Sequence, residues 1–320
     1  MAKNRFTKTN FLWLLLIIVS YFLINLLINI GIINKVYQTV MLTIGINIIL
    51  AISLNLIIGI TGQFSLGHAG FMSIGAYSTG VIVKQMGGNL SSVFIGMAVG
   101  ILLSSIVALI VAIPTLRLKG DYLAIATLGF GEIIRIVIQN MKITNGAAGL
   151  VLPKLLDWKL VFLFLVISTF IVVAFTNSAP GRACISVRED EIASETMGIN
   201  TTKYKIMAFV IGAILASIAG TLYASSFYVI KPDNFSFNKS IDILVIVVFG
   251  GMGSYTGSFV SALLIGILNT SLQSFADIRT IIYGALLVMI MIFRPQGILG
   301  NYEFKFSNLL KRFNKKEARS

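Results

Sequence analysis

The sequence predicts an all-α fold, a polytopic transmembrane helical bundle of about ten spans, some of them short and glycine-broken. Apolar residues occupy 57% of the 320 positions and charged residues only 12%, and the mean hydropathy is +0.92. Soluble proteins carry about twice that share of charge. Because each span needs roughly 20 apolar residues, spans and short loops fill this length and exclude a separate soluble catalytic domain.

The apolar segments predict the positions of the spans. The first one is longer than the apolar core of a signal peptide and is interpreted as a retained helix. The segments at 71–83, 241–249 and 280–293 are too short to cross as straight helices unless their glycine-rich flanks extend them. In order, the segments are 11–33, 36–60, 71–83, 93–113, 122–140, 160–175, 206–228, 241–249, 254–272 and 280–293.

The basic residues predict the orientation of the chain. If residues 1–10 are a cytoplasmic N-terminus and every segment crosses, the inner segments hold 16 of the 25 Lys and Arg residues and the outer loops hold seven. Positive residues favour the cytoplasmic side. The predicted organisation is a single transmembrane domain at 11–293, with a cytoplasmic loop at 176–205, followed by a basic cytoplasmic tail at 294–320.

Two polar, glycine-rich segments interrupt the apolar runs, at residues 59–70 and 249–257. Irregular backbone at membrane depth is tolerated only where protein buries it or water reaches it, and paired broken segments in two halves of a chain point to a transport pathway. Alternatively, the glycines allow helices to pack closely. The candidate pathway residues of the first segment are Gln63, Ser65, Gly67, His68 and Gly70.

Glu132 and Arg135 are an acid and a base within an apolar run, three residues apart and therefore on one helix face. Either residue alone would cost about 3 kcal/mol at the bilayer centre. They are therefore expected to pair with each other or to face a polar cavity. A structural pair that sets helix register is one interpretation, and a pair that neighbours a pathway is the other.

The predicted cytoplasmic loop carries the sequence signals of a short helix. Ser186 followed by Glu189 fits a capping box, and Gly198 is suited to cap the other end. These signals predict one helix at residues 187–197, which displays Ile192 and Met197 beside a charged face. A surface helix between two spans is a potential contact site for a partner protein.

Composition excludes several classes of function. The single cysteine, Cys184, allows no intrachain disulfide, and the single histidine, His68, provides no metal-site spacing. No catalytic set of nucleophile, base and acid can be assembled, and no phosphate-binding glycine loop is present. The net charge of +13 is spread over loops and the C-terminus, which favours contact with membrane lipid and not with nucleic acid. We therefore expect no enzymatic activity and no cofactor bound by this chain.

Four blocks in the expected order resemble the permease subunits of bacterial branched-chain amino acid ABC importers, the high-affinity leucine, isoleucine and valine permeases, and particularly the M-type subunit. Together the blocks span most of the chain. They are LNLIIGITGQFSLGHAGFMSIGAYSTG at 54–80, GDYLAIATLGFGEIIRIVIQN at 120–140, SVREDEIASETMGINTTKYKIMAFVIGAILASIAGTLYA at 186–224 and VVFGGMGSYTGSFVSALL at 247–264.

The resemblance implies a multi-pass permease of the bacterial plasma (inner) membrane, with both termini cytoplasmic, that translocates Leu, Ile or Val. It also implies a second homologous permease subunit, two ATP-binding subunits that use ATP and Mg²⁺, and an extracytoplasmic substrate-binding protein. For such a permease the candidate pathway residues are Gln63, Ser65, Gly67, His68 and Gly70, with Glu132 and Arg135 as neighbours. The candidate dock for the binding protein is Thr144, Asn145, Gly146 and Gly149.

The resemblance further implies that the predicted loop helix is similar to the coupling helix of ABC importers, which docks into a cleft of the ATPase. The loop departs from the general importer pattern of Glu-Ala-Ala, three residues and Gly, because Ile192, Ala193 and Ser194 occupy the first three positions. The residues implied in this contact are Arg188, Glu189, Asp190, Glu191, Glu195 and Gly198.

Two alternatives stay open. A related ABC importer would carry urea, amides or other amino acids. A transporter of another class, driven by an ion gradient, would need titratable groups at membrane depth in each half. Glu132 and Arg135 lie in the first half, and the second half offers only Asp242 near the start of a span.

Overall fold

The computed structural model describes residues 2–115, 118, 120–271 and, in the C-terminal part, 281, 282, 284, 285, 288, 289, 292–294, 296–298 and 300. Most of the predicted basic tail and much of the predicted span at 280–293 lie outside the described residues. Within the described part most residues are helical, so the predicted all-α class is confirmed.

The helices follow the predicted apolar segments in order from 11–33 to 254–272. A short antiparallel pair, β1 (Leu150–Val151) and β2 (Val229–Ile230), joins two connecting loops. Short 3₁₀ turns occur at Lys142–Thr144, Gly146–Ala148 and Pro232–Phe235. The helices are α1 (Ala2–Asn29), α2 (Lys35–Asn55, continued by a π-helical turn at Leu56–Ile60), α3 (His68–Gln85), α4 (Leu90–Thr115), α5 (Asp121–Asn140), α6 (Trp158–Asn177), α7 (Ala179–Glu189), α8 (Glu191–Thr196), α9 (Thr201–Ser226), α10 (Phe237–Gly250) and α11 (Tyr255–Ser271).

Two of the segments that were predicted to be short are longer in the structure, and mostly polar flanking residues extend them. Helix α3 has 18 residues and α10 has 14. At 1.5 Å per residue, α10 is about 21 Å long, which is less than the roughly 30 Å of the hydrocarbon core. Helix α10 therefore ends within membrane depth unless the turn that follows it completes the crossing.

Four helical stretches of the described residues are long and apolar enough to cross a membrane: Lys35–Ile60, Leu90–Thr115, Trp158–Asn177 and Thr201–Ser226. In the most apolar 18-residue window of Lys35–Ile60, 89% of the residues are buried inside the protein. In the corresponding window of Trp158–Asn177, only 17% are buried. A helix that is apolar and buried on all sides lies in the interior. Helix α2 is therefore the central helix, and α6 presents apolar side chains to the surroundings.

Helices α3, α4 and α9 pack closely because small residues line their contacts. A Cβ atom added at Gly75 would collide with the backbone of Ser217, and one at Gly220 would collide with the backbone of Met72. Close approach at small residues is the usual packing mode of membrane helices. This three-helix unit positions α3, whose first three residues, His68–Gly70, are the last residues of the first glycine-broken segment.

Candidate functional site

The first broken segment reverses direction at the end of α2. After the π-helical turn at Leu56–Ile60, Gly62 turns the chain with a φ of +71°, a conformation that glycine adopts without steric cost. The amide of Gln63 donates to the carbonyl oxygen of Ile57 at 3.2 Å. Residues 63–67 therefore run back along the end of α2.

Helix α3 begins beside α2, inside the bundle. The imidazole Nε2 of His68 lies 2.7 Å from the hydroxyl of Ser53, a residue about two helical turns before the end of the π-helical turn that continues α2. The Ser53 hydroxyl donates its proton to the carbonyl oxygen of Leu50 at 2.9 Å, so it accepts from the histidine. This network assigns the proton of a neutral imidazole to Nε2 and leaves Nδ1 as an acceptor.

Three side chains of this segment, here called the polar strip, keep polar atoms to which no described residue hydrogen-bonds. These atoms are both side-chain heteroatoms of Gln63, the hydroxyl of Ser65 and Nδ1 of His68. Each of the three residues is at most 3% exposed. A buried polar group without a partner costs about 1–3 kcal/mol, so such groups normally bind water or a ligand. The polar strip can therefore hydrogen-bond a small polar molecule.

The second broken segment, between α10 and α11, contacts the first. A Cβ atom added at Gly59 would collide with the backbone of Gly253. The carboxamide of Asn55 joins the two segments, because it donates to the carbonyl oxygen of Ser254 at 2.9 Å and accepts from the amide of Gly253 at 2.7 Å. Sequence reasoning missed Asn55, although a carboxamide within an apolar helix was an available signal.

Gly67 and Gly70, which were also predicted as pathway residues, pack against α5. A Cβ atom at Gly67 would collide with the carbonyl group of Thr127, and one at Gly70 would lie 2.9 Å from the Cα of Gly131. The Thr127 hydroxyl accepts from the amide of Leu66 at 3.0 Å. For these two glycines the structure supports the close-packing interpretation, and α5 forms one wall of the site.

Glu132 and Arg135 form an ion pair that ties α5 to the start of α10. Arg135 Nε lies 2.7 Å from Glu132 Oε2, and their side chains are 20% and 29% exposed. Glu132 Oε1 accepts from the amide of Phe237 at 3.0 Å, which satisfies one of the free N–H groups at a helix start. Arg135 also lies 3.5 Å from Asp233. The geometry supports the interpretation of a pair that sets helix register.

A small pocket with a cavity volume of about 10 Å³ lies beside this ion pair, between the starts of α3 and α10 and the middle of α5. This volume is enough for about one water molecule. The polar side chains of the pocket are Glu132, Ser236 and Ser240, its large apolar ones are Leu66, Leu128, Phe235 and Phe237, and Ala69, Gly70 and Gly131 complete the lining.

The loop predicted to be cytoplasmic contains two helices, so the single helix predicted at 187–197 is wrong. Helices α7 and α8 are separated by Asp190, which is extended at φ −155° and ψ 111° and whose carboxylate accepts from the amide of Ala193 at 3.0 Å. The predicted cap, Ser186, lies inside α7, and Ser178 caps that helix instead. Aspartate and serine are equally good N-caps, so local sequence does not choose between them.

Helices α7 and α8 together are here called the α7–α8 hairpin. The prediction that Gly198 caps the end of this hairpin is confirmed. Gly198 has a φ of +80°. Its amide donates to the carbonyl oxygen of Glu195 at 2.9 Å. The amide of Ile199 donates to the carbonyl oxygen of Ser194 at 3.0 Å. These two bonds form a Schellman motif, which ends α8 and directs the chain into α9.

Arg188 connects the α7–α8 hairpin to the first broken segment. Its guanidinium donates to the carbonyl oxygen of Gly59, and its Nε lies 3.1 Å from a carboxylate oxygen of Glu189. A Cβ atom added at Gly62 would lie 3.1 Å from Cγ of Arg188, so the side-chain stem packs on the turn. Arg188 thus satisfies a carbonyl group at a helix end, where intrahelical partners are lacking.

On the rest of the hairpin, two acidic side chains have partners within the chain, and two large apolar side chains are exposed. Glu191 pairs with a lysine of α9 at 2.5 Å, and Glu195 accepts from the hydroxyl of Thr201 at 2.8 Å. Two acids of the predicted contact set are therefore bound within the chain. Ile192 and Met197 are 73% and 81% exposed, and exposed apolar side chains of this size can contribute to an interaction surface.

Comparison with known proteins assigns the family. Residues 36–294 match the family model described as branched-chain amino acid transport system / permease component. The chain belongs to this permease family.

Curated relatives of the permease carry related names. The high-affinity branched-chain amino acid transport system permease protein LivM of Salmonella typhimurium is 36% identical, over 62% of this chain and 55% of that protein. LivH of Escherichia coli is 30% identical, over 50% of this chain and 51% of that protein. The probable permease LivM of Methanocaldococcus jannaschii is 25% identical, over 70% and 74%. The match to this chain thus covers about half the length of LivM from Salmonella typhimurium and of LivH from Escherichia coli. No solved structure matches the chain.

The predicted docking loop of the permease is a compact turn. The hydroxyl of Thr144 donates to a carbonyl oxygen one turn earlier at 2.7 Å. Asn145 has a φ of +61°, and its side chain donates to the carbonyl oxygen of Gly149 at 2.8 Å. Gly146 also has a positive φ. These side chains build the turn, whereas the neighbouring Val151 is 75% exposed and supplies apolar surface.

Cys184 of the permease is buried between the α7–α8 hairpin and α9. Its thiol donates to the carbonyl oxygen of Tyr204 at 3.6 Å. Burial raises the pKa of the thiol to about 11. Because the thiolate is the reactive form of cysteine, Cys184 is inert at neutral pH.

Proposed function

We propose that this permease is the membrane-spanning subunit of an ATP-driven importer of the branched-chain amino acids Leu, Ile and Val. Family membership supports the class of function. The hydrogen bond from Arg188 to Gly59 carries the mechanism, because it joins a helical hairpin outside the apolar bundle to a broken segment inside it. A force applied to the α7–α8 hairpin would therefore reach the first broken segment, which carries the polar strip.

The proposed importer contains a second homologous permease subunit, two ATP-binding subunits and an extracytoplasmic substrate-binding protein. Similarity to both LivM and LivH supports a pair of homologous permease chains. The exposed side chains of Ile192 and Met197, with Glu189 and Asp190 beside them, support a contact of the hairpin with an ATP-binding subunit. ATP and Mg²⁺ are used in those subunits, and this chain needs no cofactor of its own.

The proposed location is the bacterial plasma membrane, with both termini of the chain in the cytoplasm. The excess of basic residues in the predicted inner segments supports this orientation. In this orientation the turn at residues 144–149 faces outward, where it and the neighbouring β1 can meet the substrate-binding protein. The α7–α8 hairpin then faces the cytosol.

The proposed mechanism alternates access around the two broken segments. Closure of the ATP-binding subunits moves the hairpin, Arg188 transmits that movement to Gly59, and Asn55 moves the second segment together with the first. Packed elements that switch between two arrangements can carry such coupling. The polar strip hydrogen-bonds the charged end of the substrate, while the aliphatic side chains around it accommodate the branched end.

Uptake by proteoliposomes that contain the complete complex tests this function. We expect tritiated leucine to accumulate only when ATP and Mg²⁺ are supplied on the side of the ATP-binding subunits, with loaded binding protein on the other side. Unlabelled isoleucine and valine should compete. Uptake that continues without ATP and stops with the ion gradient would identify a secondary transporter. ATP-driven uptake of urea or amides, without uptake of leucine, would identify a related importer.

A further inference from the structure

The small pocket between α3, α5 and α10 has the size of a site for a single water molecule. Its cavity volume is about 10 Å³, and roughly that volume is needed to hold one water. A buried water molecule typically makes about three hydrogen bonds, so such a site also needs polar groups in its walls. The pocket has three polar side chains in its lining, those of Glu132, Ser236 and Ser240.

Glu132 supplies a charged acceptor. Its Oε1 accepts from the amide of Phe237 at 3.0 Å, and its Oε2 accepts from Arg135 Nε at 2.7 Å. A carboxylate offers about four lone-pair positions, so each oxygen can accept one more hydrogen bond. Hydrogen bonds to an ionised acceptor are roughly twice as strong as those between neutral groups. A donor in the pocket would therefore bind firmly to this carboxylate.

Ser240 supplies a donor to the same pocket. This residue is 3% exposed, and its hydroxyl oxygen accepts from the amide of Ala69 at 3.2 Å. In the part of the chain that the structure describes, no group accepts the proton of this hydroxyl. The proton of a buried hydroxyl normally has an acceptor, either protein or ordered water. A water oxygen in the pocket would satisfy it.

Ser236 supplies the third polar group. It directly precedes the first residue of α10, where a serine side chain usually accepts from an amide of the first helical turn. The Ser236 side chain makes no such capping bond. Glu132 instead accepts from the amide of Phe237, at the start of the helix. The Ser236 hydroxyl is therefore available to the pocket that it lines.

The position of the pocket gives a bound water a structural role. The bond between the amide of Ala69 and Ser240 joins α3 to α10, and the bond between Phe237 and Glu132 joins α10 to α5. Ala69 directly follows His68 of the polar strip. A water that bridges Glu132 and Ser240 would connect these two links and hold the start of α3 to the ion pair of α5.

We propose that this pocket is a binding site for one ordered water molecule that links α5, α10 and the start of α3. The water accepts from the hydroxyl of Ser240 and donates to a carboxylate oxygen of Glu132 and to the hydroxyl oxygen of Ser236. Bridging waters are nearly as favourable in enthalpy as direct hydrogen bonds. The water thus helps to fix the broken segment that carries the polar strip. This site is a property of the folded chain and does not depend on the transported substrate.

X-ray radiolysis footprinting of the purified permease tests this site, because hydroxyl radicals formed from a bound water oxidise the side chains beside it. Phe235 is 2% exposed and lines the pocket. Phe209 is 1% exposed, packs against Phe71 and is the matched control. We expect mass spectrometry to find Phe235 oxidised well above the level of Phe209. Equally low oxidation of the two buried rings would overturn the proposal.

The variant Ser240→Ala tests the assigned donor. Without the hydroxyl the water loses a partner, so the oxidation of Phe235 should fall toward the level of Phe209. Ser105→Ala is the control, because the Ser105 hydroxyl bonds within its own helix at 2.7 Å, and it should leave the oxidation of Phe235 unchanged. Undiminished oxidation of Phe235 in Ser240→Ala would contradict the role of Ser240. The wild-type measurement does not require any variant to fold.

A double-mutant cycle tests the bridge itself. Glu132→Gln keeps an oxygen for the amide of Phe237 but weakens the acceptor. Its shift in thermal unfolding temperature is measured alone and together with Ser240→Ala. Because a shared water couples the two residues, the shift of the double variant should be smaller than the sum of the single shifts. Additive shifts would contradict a bridging water and leave the proposed import function untouched.

Discussion

The guanidinium of Arg188 on α7 donates a hydrogen bond to the backbone carbonyl oxygen of Gly59, which precedes it by 129 residues. Gly59 lies in the π-helical turn that ends α2, next to Gly253 of the second broken segment. One side chain of the α7–α8 hairpin therefore contacts the point at which the two broken segments meet. This arrangement makes Arg188 a direct contact between the hairpin and the first broken segment.

Replacement of Arg188 by glutamine should uncouple transport from ATP hydrolysis. A hydrogen bond from a charged group contributes about 1.5–3 kcal/mol, equivalent to roughly a tenfold to hundredfold change. We expect the leucine imported per ATP hydrolysed in proteoliposomes to fall by about that factor, while hydrolysis continues. Arg182→Gln is the control, because Arg182 lies on the same helix and donates to the local carbonyl oxygen of Asn177. An unchanged ratio in Arg188→Gln would show that the contact is dispensable.

Gly59→Ala should destabilise the permease. The added methyl group would collide with the Asn55 side chain and with the backbone of Gly253, and overpacking of this kind costs about 1–3 kcal/mol or more. The thermal unfolding temperature in detergent should fall. Gly129→Ala on α5 adds a methyl group with nothing within 4 Å, and helix propensity should make it neutral or stabilising by up to about 1 kcal/mol. Equal stabilities of the two variants would contradict the close contact of the broken segments.

Asn55→Ala should also lower stability, for a different reason. It leaves the amide of Gly253 and the carbonyl oxygen of Ser254 without the partner that the structure provides. We expect the free energy of unfolding to fall by about 2–3 kcal/mol, as measured by denaturant titration in mixed micelles. Asn140→Ala is the control, because that exposed side chain bonds within its own helix, and it should change stability by less than about 0.5 kcal/mol. Similar losses in both variants would argue against a special role for Asn55.

The helices could be predicted from the sequence because apolar runs bounded by glycine and charged residues determine where a chain can span a bilayer. The division of the hairpin at Asp190 could not be predicted from the sequence. Ser186 and Asp190 are both good N-cap residues, and tertiary contacts decide which of them caps a helix. The Ser186 hydroxyl instead bonds to that of Ser194 at 2.7 Å.

The candidate site was predictable only in part. Gln63, Ser65 and His68 stood out because polar residues in an apolar sequence require a reason. The contact of Asn55 with Gly253 joins residues 198 positions apart, and no local pattern indicates such a pairing. The same holds for Ser240, whose contact with Ala69 depends on how α10 packs against α3.

Native Cys184 should resist thiol reagents. Burial raises its pKa from an ordinary value of 9.0 to about 11, so the folded protein favours the protonated thiol. The corresponding stabilisation is complete below about pH 9 and is lost as the pH rises toward 11. Maleimide at pH 7 should leave the native protein unlabelled and should label it fully in denaturing detergent. Rapid labelling of the native protein would contradict the buried position.

The inert Cys184 allows a single exposed cysteine, introduced as Met197→Cys, to test directly whether the α7–α8 hairpin receives force from a cytosolic ATP-binding subunit. A membrane-impermeant maleimide is applied to intact cells and to inverted vesicles, with and without the ATP-binding subunits. We expect labelling only in inverted vesicles, and we expect bound ATP-binding subunits to prevent it. Labelling of intact cells from outside, or labelling that the ATP-binding subunits leave unchanged, would contradict the coupling role of the hairpin.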